Sequence, residues 1–210
     1  MARFAYVNTL GYGAVMTLAR KQTSAKHTPD SATLSRDGWI DCALERLAED
    51  GIDKVLIAPL ARKLGVTKGS FYWHFKNRQD LLDAMLTRWE SVGTLDIIEQ
   101  VEMNGGAADA RLRRTIDLSI EQVSARLEPA LRQWGRRDKD VREALRRVDE
   151  QRLNYLRKLF AQICKDQAEA EARSWLLYSL ITGRHLVAAK PSLMKRKDLL
   201  QSCLAVLIHE

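Results

Sequence analysis

Residues 57–82 read IAPLARKLGVTKGSFYWHFKNRQDLL. Ile57, Leu60, Ala61 and Leu64 recur at the i, i+3, i+4, i+7 spacing of one helical face. Pro59 fits a helix only in its first turn, where a missing N–H has no partner to lose. This helix therefore starts close to Ile57. Gly65-Val66 breaks it, and Gly65 can take the left-handed conformation of a tight turn. Thr67 is a good N-cap for a second short helix over about 68–75. Two short helices joined by a glycine turn have the form of a helix-turn-helix unit, here over about 56–75. Ile57, Leu60, Ala61, Leu64, Val66, Phe71 and Phe75 are the residues that would lock the two helices together.

What remains on the second helix differs in character. Lys68, Gly69, Ser70, Tyr72, Trp73, His74 and Lys76 are polar, small or amphipathic aromatic. From Arg62 to Arg78 there are five Lys and Arg residues and no acidic one. A helix with a positive, partly aromatic outer face suits the major groove of DNA. Phe71 and Phe75, four apart, fill the inward face, so Tyr72 is left to point elsewhere. His74 has no second metal ligand at useful spacing, and phosphate contact or a solvated position is the better reading.

Outward from this unit the chain reads as helical. Residues 34–49 carry Ile40, Ala43, Leu44, Leu47 and Ala48 on one face and end at Gly51. Asn77 opens a helix over about 78–90, striped by Leu81, Leu82, Met85 and Trp89. Gly93 and Asn104-Gly105-Gly106 punctuate the chain, and long helices follow at about 107–126, 139–164, 166–189 and 195–208. Trp175 to Ile181 is apolar on most sides, so it must be buried on most sides. The expected fold is all-α.

The run quoted above resembles the tetracycline-repressor (TetR) family of bacterial regulators. The most specific part is LGVTKGSFYWHF, followed by a basic residue and a Leu-Leu pair. Pro59 departs from many relatives by shortening the first helix of the motif, and Arg78 stands where lysine is more usual. The resemblance covers about residues 33–92. It implies a DNA-binding domain there and a ligand-binding and dimerisation domain over 93–210; residues 1–32, polar toward Pro29, read as an arm and linker longer than is typical of the family. It implies DNA contacts from Arg36, Lys63, Thr67, Lys68, Gly69, Ser70, Tyr72, Trp73, His74 and Lys76. It further implies a homodimer held by the last two helices, repression from a palindromic operator, and release by a small apolar or amphipathic molecule. Met85, Trp89, Leu118, Tyr155, Trp175 and Tyr178 are candidates for lining that ligand's pocket, although aromatics on helices are more often plain core.

The bulk properties agree. Of 210 residues, 46% are hydrophobic and the formal net charge is +7, which makes an acidic polymer a plausible partner. Cys42, Cys164 and Cys203 are far apart and odd in number, as expected of reduced thiols in a cytoplasmic protein. No apolar run spans a bilayer, and residues 4–19 are interrupted by Asn8, Thr9 and Gly11, unlike a secretory signal. No nucleophile elbow, phosphate loop or paired-histidine metal site occurs, so no enzyme, cofactor or metal is expected. The charge-mixed stretch from Arg126 to Arg152, nine basic residues to six acidic, reads as a solvated helix face. The competing readings are a non-specific architectural DNA-binding protein, a regulator with no small-molecule ligand, and a helical enzyme with a chance motif.

Overall fold

Ser35 opens the first helix, its hydroxyl oxygen accepting the Gly38 N–H at 3.2 Å. The computed structural model describes residues 35–122, 126–184 and 186–209, so the arm and linker expected over 1–32 lie outside the described residues. Every regular element among them is helical: α1 Arg36–Asp50, α2 Ile57–Lys63, α3 Lys68–Tyr72, α4 Arg78–Glu90, α5 Asp96–Met103, α6 Ala108–Gln122, α7 Leu127–Gly135, α8 Lys139–Phe160, α9 Gln167–Gly183 and α10 Arg196–Ile208. The all-α expectation holds.

Two apolar clusters form the core. The first takes Trp39, Leu44 and Leu47 from α1, Leu60 from α2, Phe71 from α3, and Leu81, Met85 and Trp89 from α4. It continues into Leu127, Leu131 and Trp134 of α7 and Val141, Leu145 and Val148 of α8. The second joins Ile97 and Val101 of α5, Leu112 and Ile116 of α6, Leu156 and Leu159 of α8, Leu177 of α9 and Leu204 of α10. α8 runs through both, so the N-terminal helices rest on the first half of α8 and the C-terminal bundle packs on its second half.

Three local features differ from the sequence reading. α5 and α7 add to the expected helices; each is short, although apolar residues recur at helical spacing in both, Ile97 and Val101 on α5 and Leu127, Leu131 and Trp134 on α7. Gly93 does not break the chain: Ser91–Leu95 form a π turn that carries α4 on into α5. Such turns recur at functional sites. A Cβ at Gly93 would meet Arg152 Nη2 at 3.4 Å and Trp89 Cδ1 at 3.6 Å, so the glycine lets the guanidinium reach the backbone. Finally, α8 stops at Phe160 and α9 at Gly183, short of the expected 164 and 189. Asp166 then caps α9 by accepting the Glu169 N–H at 2.8 Å.

The helices leave two apolar stripes uncovered. On α9, Trp175, Leu176 and Leu180 are exposed in line with Ala168, Ala172 and Ser179. On α10, Leu199 and Val206 are exposed in line with Ser202.

Candidate nucleic-acid interface

α2 and α3 cross around Leu60, Ala61 and Phe71, all buried. The turn between them is made by Gly65 at φ +69°, a region that side chains other than glycine rarely adopt. The Val66 N–H donates to Ala61 O at 3.0 Å and closes that turn. α3 is shorter than expected. After Tyr72 the chain turns, with the N–H groups of His74 and Phe75 both donating to Phe71 O at 3.0 Å.

An aromatic stack fixes α3 from below. Phe71 meets Phe75 at 5.2 Å and Trp39 edge-on at 5.3 Å. Both phenylalanines are buried, so their neighbours must face out. Tyr72 is 61% exposed and Trp73 88%. Lys68, Gly69, Thr67 and Lys76 are exposed beside them, and Ser70 and His74 are half-buried. Large aromatics left in water on a short rigid helix next to lysines form a surface able to stack on, or pack against, a negatively charged polymer.

Three basic residues nearby are occupied within the protein. Arg78 donates through Nε to Val55 O at 2.7 Å and through Nη2 to Ile52 O at 3.0 Å, tying the start of α4 to the turn after α1. Lys63 reaches Glu45 at 3.1 Å and Glu49 at 3.9 Å. Burial opposes its charge, but Glu45 outweighs this and holds its pKa above the ordinary value. Arg36 lies over the Phe75 ring at 4.8 Å and 4.0 Å from Asp80. Thr67 sits at the N-cap of α3 without a side-chain capping bond, so its hydroxyl stays available.

The ligand-pocket residues scatter. Tyr155 and Tyr178 line a cavity of about 60 Å³ between α5, α6, α8, α9 and the π turn. Trp89 stands beside it, against Gly93 and Arg152. Leu118 packs on the second apolar cluster. Met85 is fully buried in the first cluster. Trp175 lies half exposed on the far side of α9, where its indole N–H donates to Glu171 at 2.6 Å.

The solvated-face reading of residues 126–152 needs correction at its two ends. Glu128 is only 5% exposed. It accepts from Arg132 at 2.8 Å and from Arg152 at 3.2 Å. Arg152 also donates to Thr94 Oγ1 at 3.0 Å and to Gly93 O at 3.2 Å. Asp149 accepts from Arg132 at 2.8 Å and from the Tyr178 hydroxyl at 2.5 Å. Burial raises the Tyr178 pKa, and Asp149 adds to the rise. This network joins α7, α8, α9 and the π turn. The sequence held one signal of it: Glu128 shares the apolar face of Leu127, Leu131 and Trp134. In the middle of the stretch Arg146–Glu150 and Lys139–Glu143 are surface i,i+4 pairs, in keeping with a solvated face.

Among the described residues no helix is long and apolar enough to cross a membrane, and no cluster of His, Cys, Asp or Glu could hold a metal ion.

Residues 40–85 match the model of the bacterial regulatory proteins of the tetR family. The chain is 50% identical over 54 residues to the tetracycline repressor protein class D of Escherichia coli, which covers 26% of this chain and 25% of that protein. The chain thus spans about a quarter of the length of that curated relative. The fold is similar to the crystal structure of a transcriptional regulator from Rhodococcus sp. Rha1, with a TM-score of 0.65, 20% identity and coverage of 83% and 94% of the two chains. It is also similar to AibR, solved with isovaleryl coenzyme A and operator DNA, at a TM-score of 0.63, 13% identity and coverage of 82% and 97%.

Proposed function

We propose, from the match of residues 40–85 to the tetR family of bacterial regulatory proteins, that the chain is a transcriptional regulator of that family, a repressor that binds a palindromic operator as a homodimer. The observation that carries this is the exposure of Tyr72 and Trp73 beside Lys68 and Lys76 on a helix pinned by Phe71 and Phe75. In this reading Tyr72, Trp73, Ser70 and Gly69 approach base edges, while Thr67, Lys68, His74 and Lys76 hold phosphates. Arg36 and Lys63 act from the edge, once freed from Asp80 and Glu45. The DNA-binding domain spans 33–92, with residues 93–210 forming the rest.

The homodimer closes over the exposed stripes of α9 and α10, because a monomer would leave Trp175, Leu176, Leu180 and Val206 in water. Small residues at 168, 172 and 179 let a partner helix approach closely. A small molecule entering the cavity at Tyr155 and Tyr178 shifts the arrangement of the two DNA-reading heads. AibR, a protein of this fold, is solved in complex with both isovaleryl coenzyme A and operator DNA, so a small molecule and DNA are both partners of that protein. A ligand can release DNA only if it prefers the DNA-incompetent arrangement, by about 1–3 kcal/mol in typical linked sites.

A footprint on DNA flanking the gene, followed by fluorescence anisotropy at fixed salt, tests the reading. A protected two-fold symmetric site bound far more tightly than scrambled DNA is expected. Equal binding to both sequences marks an architectural protein instead.

A further inference from the structure

We infer that the ligand of the inner cavity is a compact, uncharged, mainly apolar molecule that carries a hydrogen-bond donor. The inference rests on the proposed ligand-responsive regulator and names the chemistry its ligand must have.

Size comes first. A cavity of about 60 Å³ has room for a compact group and not for a coenzyme A moiety. Its walls are chiefly apolar, with Ile97, Ile98, Leu156 and Ile181 among them. Such walls reward apolar surface and penalise a bare charge.

Charge comes second. A charged ligand would need an opposite charge in the wall to offset its lost hydration. Each charged group there is already engaged. Glu128 is held between Arg132 and Arg152. Arg152 spends its three nitrogens on Thr94, Glu128 and Gly93 O. Arg184 donates to the carbonyls of Ile181 and Ser119, at 2.6 and 3.5 Å. A cationic ligand would find Glu128 already held by two arginines, and an anionic one would have to share Arg184 with the carbonyls of Ile181 and Ser119.

Hydrogen-bond polarity comes third. The Ser119 hydroxyl donates to Thr115 O at 2.7 Å, and the Thr182 hydroxyl to Tyr178 O at 2.9 Å. Each has one hydrogen and has used it on the preceding turn of its own helix, so only its oxygen lone pairs remain to offer. The tyrosine hydroxyls are likewise spent, Tyr155 on Glu102 at 2.8 Å and Tyr178 on Asp149. The wall around Ser119 and Thr182 therefore asks for a donor.

The test is a thermal-shift series on the full chain with four compounds of only a few heavy atoms, matched to the cavity: 2-propanol, acetone, acetate and ethylamine. 2-Propanol at saturating concentration should raise Tm by about 2–4 °C relative to acetone, with acetate and ethylamine no better than acetone. In the Ser119→Ala/Thr182→Val double variant the preference for 2-propanol over acetone should vanish, while operator binding without ligand stays unchanged. A larger shift with acetate or ethylamine overturns the inference, as does equal response to 2-propanol and acetone. Loss of sequence-specific DNA binding by the unmodified protein would instead overturn the regulator reading, so the two failures are distinguishable.

Discussion

The guanidinium of Arg152, on α8, lies 5.6 Å from the ring centroid of Trp89, the last buried aromatic of α4. A charge carried by the C-terminal bundle thus rests on the helix that leaves the DNA-binding unit. The same guanidinium holds Gly93 O and Thr94 in the π turn beyond it. Arg152 and Glu128 are both largely shielded from water.

Arg152→Met should therefore destabilise the fold by about 3 kcal/mol, the lower end of the range for breaking a buried pair, since Arg132 still reaches Glu128. Urea unfolding reads this directly. A loss under about 0.5 kcal/mol, the usual range of surface changes, would show the network to be incidental.

Gly69 lies inside α3, and a Cβ there meets nothing nearer than Thr67 Oγ1 at 3.5 Å. The protein alone would gain about 0.5–1 kcal/mol from Gly69→Ala, because alanine is the better helix former. If Gly69 faces DNA, the same change should weaken operator binding by at least about tenfold, or 1.4 kcal/mol. Higher Tm with lower affinity is the expected pair of results, and higher Tm with unchanged affinity puts Gly69 away from the DNA.

Lys76→Ala should reduce the salt dependence of DNA binding by about 0.9 in log–log slope, the change that accompanies one fewer neutralised phosphate. Trp73→Ala should lower affinity with that slope intact. A changed sequence preference at constant slope for Lys76→Ala would contradict its assigned role.

Leu176→Glu with Leu180→Glu places two charges in the exposed stripe of α9. Sedimentation should then find monomers with native helical content, whereas the parent protein should sediment as a dimer at micromolar concentration. A parent that sediments as a monomer removes the dimer from the proposal.

The Glu102 carboxylate accepts from the Tyr155 hydroxyl at 2.8 Å and from Arg111 at 3.1 Å. These partners hold its pKa below the ordinary value. An acid with a lowered pKa in the folded state adds stability above its unfolded value and loses it as pH falls through the folded one. Tm should accordingly fall as pH drops below about 4.5, and Glu102→Gln should flatten part of that slope. The effect is a fraction of a kcal/mol, because Glu102 is partly exposed to water.

The helix-turn-helix was legible because its signals are local. Pro59, Gly65 and the Phe71/Phe75 pair each dictate structure within a few residues of themselves. The exposure of Tyr72 followed from the same spacing, which left open whether Trp73 faces the core or the solvent. The Glu128–Arg152 network was not legible, because its members are 24 residues apart and a helix face shows only partners three or four away. Gly93 misleads for a related reason: the guanidinium that bonds its carbonyl comes from α8, far along the chain. Trp175 shows the limit of composition. Its near neighbour Leu177 is core, while Trp175 itself faces out, and periodicity in a helix apolar all round does not say which side meets solvent.

The first apolar cluster does not end where the DNA-binding segment ends; Leu127, Leu131, Trp134, Val141, Leu145 and Val148 complete it from the far side. The reading head is consequently not a portable cassette. A graft of residues 33–92 onto another body would arrive with its underside stripped, whereas a hybrid that also carries 127–148 brings its own floor. Exchange of operator specificity between such proteins has to move two stretches of gene, or else change only the outward residues of α3.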